Sequence, residues 1–394
     1  MFDLKQHRTP KLGEALVITA IIFVLLGFPM IAIENMTPHI PVLISIVFLI
    51  LYGLIHKVKF TDLQESMIQS VTTSMGAIYL FFFIGILISV LMMSGAIPTL
   101  MYYGLMIISS KTFYLSTFCI TAIIGISIGS SLTTVATLGV AMMGLSHAFG
   151  LNSAITAGAI VSGAFFGDKM SPLSDTTGIA ASIVGVDLFE HIKNMMYTTI
   201  PAFVISAITF SVLSPWKEVG NLESVAQFQT DILSTGLVNG YALLPFVLLL
   251  VFSIFKIPAI VSIILTSIAS LLLAQIQTAY SFQEIGQILF AGFSKEGVPE
   301  SIASLIQRGG IQSMFFTITI VILALSLGGL LFGLGIIPTL LESIAHLLVS
   351  PSRATICVVV TAVGVNFIVG EQYLSILLAG KTFKPVYDKL NLHS

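Results

Sequence analysis

From Thr112 to Gly167 the chain carries no aspartate, glutamate, lysine or arginine. Asp168, Lys169 and Asp175 then fall within eight positions, inside GAFFGDKMSPLSDTT (Gly163–Thr177), and apolar residues resume at Ile179. A charge placed in a membrane-like run costs at least about 2.5 kcal/mol on insertion scales, so such groups face the protein interior and mark an ion or substrate path. Gly167 and Pro172 bracket the cluster and are expected to break the helix there, freeing backbone carbonyls for a cation. Any fold for this chain must hold a broken polar element inside an apolar envelope.

The rest of the composition fits that envelope. Of 394 residues, 56% are hydrophobic and only 9% charged, and the mean hydropathy is +1.05. Soluble domains carry roughly 25% charged residues. In lipid the backbone must satisfy its own hydrogen bonds, so the expectation is an all-α polytopic membrane protein whose main partner is the bilayer. The net charge of -2 says nothing about nucleic acid, and no basic stripe suggests such a partner, so none is expected. Cys119 and Cys357, far apart within apolar runs, read as buried thiols rather than a disulfide or metal pair. The first apolar run is too long for a signal peptide and lacks a cleavage site, so it is expected to be a retained helix.

About 12 apolar segments are long enough to span, or nearly so. They cover 14–34, 40–55, 75–94, 97–110, 113–148, 152–183, 195–213, 239–255, 258–276, 314–333, 337–349 and 354–380. Two are too long for one straight crossing. Segment 113–148 is interrupted at Gly129-Ser130-Ser131 and segment 152–183 at the charged cluster, which predicts discontinuous helices or re-entrant hairpins. Polar links occupy 214–238 and 277–312, the second long enough for an amphipathic surface helix. Lys5, Arg8 and Lys11, then His56-Lys57-Val58-Lys59, then Lys111 follow the positive-inside pattern with the N-terminus cytoplasmic.

An internal repeat organises these segments. Gly95-Ala96-Ile97-Pro98-Thr99-Leu100 returns as Gly335-Ile336-Ile337-Pro338-Thr339-Leu340. Ile68-Gln69 answers Ile306-Gln307, Thr121-Ala122 answers Thr361-Ala362, and Gly129 and Gly139 answer Gly370 and Gly380. If each segment crosses once, an odd number of crossings separates the copies and the repeat is inverted, the usual architecture of secondary transporters. The expected division is two N-terminal helices over 1–60, a first repeat over 65–200, connecting helices over 201–302 and a second repeat over 303–394. The counterpart of 163–177 would fall near 404–418, past Ser394. The second repeat is therefore expected to be incomplete, as in a truncated product or a natural short form.

Two constellations carry chemistry. Asp168 and Asp175 are hard oxygen donors suited to a small cation or a proton, with Lys169 as a charge partner and further oxygens from Ser171, Ser174, Thr176 and Thr177. A carboxylate poised between desolvation and a cation can trade a proton for sodium. The second constellation, around Gly129, Ser130, Ser131, Thr133 and Thr134, offers hydroxyls and carbonyls, although small residues also serve close helix packing. It stands opposite Gly370-Glu371-Gln372-Tyr373 in the repeat, and Glu371 is the only other deep carboxyl. An intramembrane serine hydrolase would need a histidine in the apolar interior, and His147, His191 and His346 all sit at or near segment ends. An aspartyl type would need a glycine at position 165, which is Phe165.

With these residues in hand, GDKMSPLSDTT resembles the signature of the NhaC-type sodium/proton antiporter family, in which a GDKxSPLSDTT element follows a GSS-x-TT element. The order here is the same, Gly129–Thr134 before Gly167–Thr177, and Glu371-Gln372-Tyr373-Leu374-Ser375 is similar to that family's second-half motif. The resemblance implies a bacterial inner-membrane antiporter with inverted repeats and discontinuous helices. It implies no resident cofactor, Na+ and H+ being cargo. Asp168, Asp175, Ser130, Ser131, Thr133, Thr134 and Glu371 would line the path. Some members exchange organic acids, such as malate for lactate, or carry amino acids, and the motifs do not separate these cargoes. A homodimer is common for such folds, although no dimer motif is visible.

Overall fold

The computed structural model describes residues 5–389 except 74, 130, 172–173, 218–221, 256, 300–301, 304–305, 346–349 and 370–371. Among the described residues every regular element is helical, as an apolar solvent requires. In order these are α1 (Leu12–Ala32), α2 (His39–Ile55), α3 (Phe60–Thr73), α4 (Met75–Met93), α5 (Ala96–Ile107), α6 (Phe113–Ile128) and α7 (Ser131–Thr134). Next come α8 (Val140–Ala148), α9 (Ser153–Met170), α10 (Asp175–Val184), α11 (Leu188–Leu213), α12 (Leu222–Ser234), α13 (Leu244–Ile254) and α14 (Ala259–Gln277). The last are α15 (Phe282–Ala291), α16 (Phe315–Gly333), α17 (Ile336–Ala345), α18 (Pro351–Val369) and α19 (Gln372–Lys389).

Every expected apolar segment thus coincides with a helix or a broken series of helices. Four stretches, Leu12–Ala32, Leu188–Leu213, Ile260–Gln277 and Ile311–Gly333, are long and apolar enough to cross a bilayer alone. The most apolar window of α11 is only 6% buried by protein, so lipid must cover it. The protein is an integral membrane protein. The surface helix expected within 277–312 is α15, whose Ser281 and Glu284 form a reciprocal capping box. The other polar link holds α12. Phe228 and Ile232, four residues apart, bury one face of it, and its polar residues hid that face in the sequence.

The chain divides into two compact units. One comprises Met1–Tyr79, Ile179–Val186 and Phe316–Ser394; the other comprises Leu80–Gly178 and Asp187–Phe315. The core of the first is built on Leu49, Leu63, Leu327, Leu330 and Leu334. That of the second is built on Leu87, Leu91, Phe113, Phe118, Leu145 and Ile160.

Each unit contains one copy of the repeated hexapeptide, and each copy forms the same left-handed break between two helices. Gly95 (φ +77°) and Gly335 (φ +75°) both adopt the left-handed conformation that only glycine takes without strain. In each case the preceding helix stops two residues earlier, and the next begins at once. Residues 78–93 and 96–104 meet at 67°. A short strap lies over each kink. A Cβ on Gly95 would lie 1.9 Å from the Leu237 carbonyl oxygen, and one on Gly335 would lie 1.9 Å from that of Arg8. Two residues further along each strap, Asn239 donates its backbone N–H to Thr99 Oγ1 (3.0 Å), and Thr339 Oγ1 donates to the Pro10 carbonyl (3.2 Å).

The stretches leading into each copy are also exchanged. α3 precedes α4 in the chain but packs on α16: a Cβ on Gly329 would lie 2.4 Å from the Ser66 carbonyl oxygen, and one on Gly333 would lie 2.2 Å from Ser66 Oγ. Gly309 and Gly310 precede α16 but press on α4, where Gly310 donates its N–H to the Gly85 carbonyl (2.9 Å).

A buried carboxylate at a broken helix crossing

The candidate site grows from two interruptions, both inside the second unit. α6 ends where Gly129 turns left-handed (φ +69°), its N–H still bonded to the Gly125 carbonyl at 2.8 Å. The chain restarts at Ser131 as the single turn α7 and passes through five π-helical residues, Val135–Gly139, before α8. π turns of this kind recur at functional sites. The interruption expected at 129–131 is present.

Facing it runs α9, opened by Asn152, whose Oδ1 accepts from the N–H groups of Ala154 (2.9 Å) and Ile155 (3.2 Å). α6 and α9 meet backbone to backbone. A Cβ on Gly167 would lie 2.5 Å from Gly125 Cα, and one on Gly163 would lie 2.1 Å from Thr121 Oγ1. This corrects the expectation for Gly167. It lies within α9 and does not break it, because its intrahelical bonds continue to Met170. Its missing side chain instead lets the two helices approach. The chain leaves the helix at Ser171, in extended geometry, and re-enters one at Asp175. Pro172 lies outside the described residues.

The close crossing encloses Asp168 in the last turn of α9. It is 3% exposed, and Ser131 Oγ donates to its Oδ2 at 3.2 Å. A hydrogen bond to an ionised group contributes about 1.5–3 kcal/mol, so the broken α6–α7 turn is tied energetically to the carboxylate. Thr133 and Thr134, on the same turn as Ser131, are buried, as are Ser171, Ser174, Thr176 and Thr177 beyond the α9 break. Ser174 Oγ accepts from the Thr177 N–H (3.3 Å) and pairs with Thr176 Oγ1 (3.0 Å). Thr177 Oγ1 donates to the Lys169 carbonyl (3.4 Å), fastening α10 back across the break.

Not every expected site residue joins this arrangement. Lys169 has an exposed side chain. The ion pairs among the described residues join His7 to Asp62, Arg8 to Glu14 and His56 to Glu14, and none joins Lys169 to Asp168. Asp175 opens α10. Gln372 opens α19 in the other compact unit. Ser130, Gly370 and Glu371 lie outside the described residues. The crossing glycines Gly125 and Gly163, with Thr121, were not expected as site builders. The small-xxx-small spacing Gly163 to Gly167 was the signal for them.

Residues 163–394 match the Na+/H+ antiporter family, and that stretch contains Asp168 and both sides of its helix break. The Na+/H+ antiporter NhaC of Alkalihalophilus pseudofirmus is 40% identical over 356 residues, covering 90% of this chain and 77% of the relative. The chain belongs to the Na+/H+ antiporter family. A second NhaC antiporter, from Bacillus subtilis, is 37% identical over 91% of this chain and 80% of its own length. A Bacillus subtilis malate-2H+/Na+-lactate antiporter is 30% identical over 99% of this chain and 83% of its own length. No solved structure matches significantly. Membership of this antiporter family makes the chain a transporter rather than an enzyme.

Proposed function

We propose that this member of the Na+/H+ antiporter family exchanges Na+ for H+, with Asp168 as the carboxylate at which the two ions compete. The observation that carries the reading is the buried Asp168 side chain held by Ser131 across two helix breaks. An ionised carboxylate so enclosed is costly unless a proton or a cation compensates it. Ser131, Thr133, Thr134, Ser171, Ser174, Thr176 and Thr177 supply hard oxygens for the stripped cation. Asp175 and Ser130 belong to the same proposal, which places the N-terminus in the cytoplasm of a bacterial cell.

Because protonated and sodium-loaded Asp168 are both neutral, each permits the unit to present the site to the opposite side, while the bare carboxylate does not. That rule makes the cycle an exchange. The malate-2H+/Na+-lactate relative supports a second reading, in which a small organic acid accompanies the cations.

The test uses the full chain in liposomes with a pH-sensitive dye. A sodium gradient should drive proton movement, and Asp168→Asn should reduce it to the liposome background. Full exchange by Asp168→Asn would overturn the assignment. Proton movement that requires malate or lactate would favour the second reading.

A further inference from the structure

Helix α10 (Asp175–Val184) is shared between the two compact units. Its first turn, through Gly178, belongs with the buried carboxylate, and the rest, from Ile179, belongs with α18 and α19. The first end is fastened by hydroxyls. Thr177 Oγ1 donates to the carbonyl of Lys169 (3.4 Å), the residue after Asp168, and the Thr177 N–H donates to Ser174 Oγ (3.3 Å). The far end closes at Gly185, left-handed at φ +78°, where the N–H groups of Gly185 and Val186 both donate to the Ala181 carbonyl (2.9 and 3.1 Å). A closure of this kind leaves the last carbonyls of the helix without intrahelical partners.

One of those carbonyls has a side-chain partner. Lys384 Nζ, from α19, donates to the Ile183 carbonyl at 3.4 Å, and a cation at this end complements the partial negative charge of the helix terminus. Gly185 leaves room for it, since a Cβ there would lie 3.0 Å from Lys384 Nζ. One turn earlier on α19, a Cβ on Gly380 would lie 2.6 Å from Ile183 Cγ2. Helix α19 therefore holds Ile183 at two points, the carbonyl and the side chain. The grip is anchored in turn, because Phe383 is buried and clusters with Ala354 of α18. We propose that Lys384 is a positioning residue for the ion site, acting through α10. Six residues separate Ile183 from Thr177, about 9 Å along one hydrogen-bonded helix with no proline between them. A shift at Ile183 is thus passed to Thr176 and Thr177, the buried hydroxyls at the other end. Lys384 itself need touch no ion.

The consequence for sodium rests on the exchange reading above, while the seating of α10 does not, so the full chain is measured in two ways. Amide hydrogen exchange in detergent reports α10, and the sodium concentration giving half-maximal proton movement in liposomes reports the site. Lys384→Met keeps the bulk of the side chain and removes the donor. It should speed amide exchange at Thr177 and Gly178, whose N–H groups donate to Ser174, as well as in the last turn. It should also raise the half-saturating sodium concentration about two- to tenfold, the worth of one hydrogen bond, with the maximal rate retained. Lys384→Arg, which can still donate to the carbonyl, should behave like the natural protein in both measurements. If Lys384→Met does not fold, Gly380→Ala, which pushes α19 away from Ile183, should give the same two changes. Faster amide exchange confined to 183–186, an unchanged half-saturating sodium concentration, or an equal loss in Lys384→Arg would each overturn the positioning role. Faster exchange at Thr177 and Gly178 in a protein whose natural form shows no sodium-driven proton movement would leave Lys384 as the residue that seats α10 and remove the exchange reading.

Discussion

The kinks at Gly95 and Gly335 are one design carried out twice with different covers. The same hexapeptide gives the same left-handed glycine, and the same closeness to a strap carbonyl follows. The first strap, residues 235–239, comes from mid-chain and is uncharged; Lys295 Nζ reaches it only through the Thr235 carbonyl (2.5 Å). The second, residues 6–10, is near the N-terminus and is pinned by ion pairs. Their hydrogen bonds differ in number: Thr99 Oγ1 accepts from the Asn239 N–H (3.0 Å) and donates to the Asn239 carbonyl (3.3 Å), whereas Pro10 has no N–H to give and Thr339 Oγ1 donates to its carbonyl (3.2 Å). The lesson is that a local sequence can specify a left-handed break while leaving its cover to residues distant in the chain.

The largest expected effect comes from filling the kinks. Gly95→Ala and Gly335→Ala each place a methyl group on a carbonyl oxygen in left-handed backbone. Each should lower stability by about 2–5 kcal/mol, measured by thermal unfolding in detergent. A tolerated substitution at one site alone would break the equivalence. A similar overpacking cost, about 1–3 kcal/mol, is expected for Gly167→Ala, with loss of exchange because α6 and α9 must separate around Asp168. Next, Thr99→Val leaves the Asn239 N–H without its acceptor and should cost about 1–3 kcal/mol, whereas Thr339→Val removes one donor from the Pro10 carbonyl and should cost about 0.5–1.5 kcal/mol. Equal costs would mean that the extra N–H bond at the first strap does not matter.

The smallest effect lies outside both clamps, at α15. The Ser281 hydroxyl and backbone N–H hold the Glu284 carboxyl below the usual carboxylate range. A depressed carboxyl contributes stability above its unfolded value and loses it as pH falls through the folded value, so this cap weakens only in acid. Ser281→Ala should speed amide exchange in 282–285 without affecting either strap.

Much of this was open to reading. The charge-free run, the position of each apolar segment, the break at Gly129 and the hydroxyl-rich turns follow from residue chemistry, since lipid leaves helices as the only spanning choice and a lone charge must turn inward. Asp168 was legible for the same reason. Gly167 was not, because a glycine can break a helix or admit a neighbour, and only the presence of Gly125 across the crossing selects the second role.

The sequence by itself determined the helices, the family signature and the two kinks, all of which depend on residues close together in the chain. The tertiary structure alone decided which strap covers which kink and that α3 packs on α16 while Gly309–Gly310 packs on α4. It also decided that Ser131 reaches Asp168. Residues 6–10 and 235–239 share no sequence, since what is matched is a run of backbone carbonyls and N–H groups, which every residue except proline carries alike.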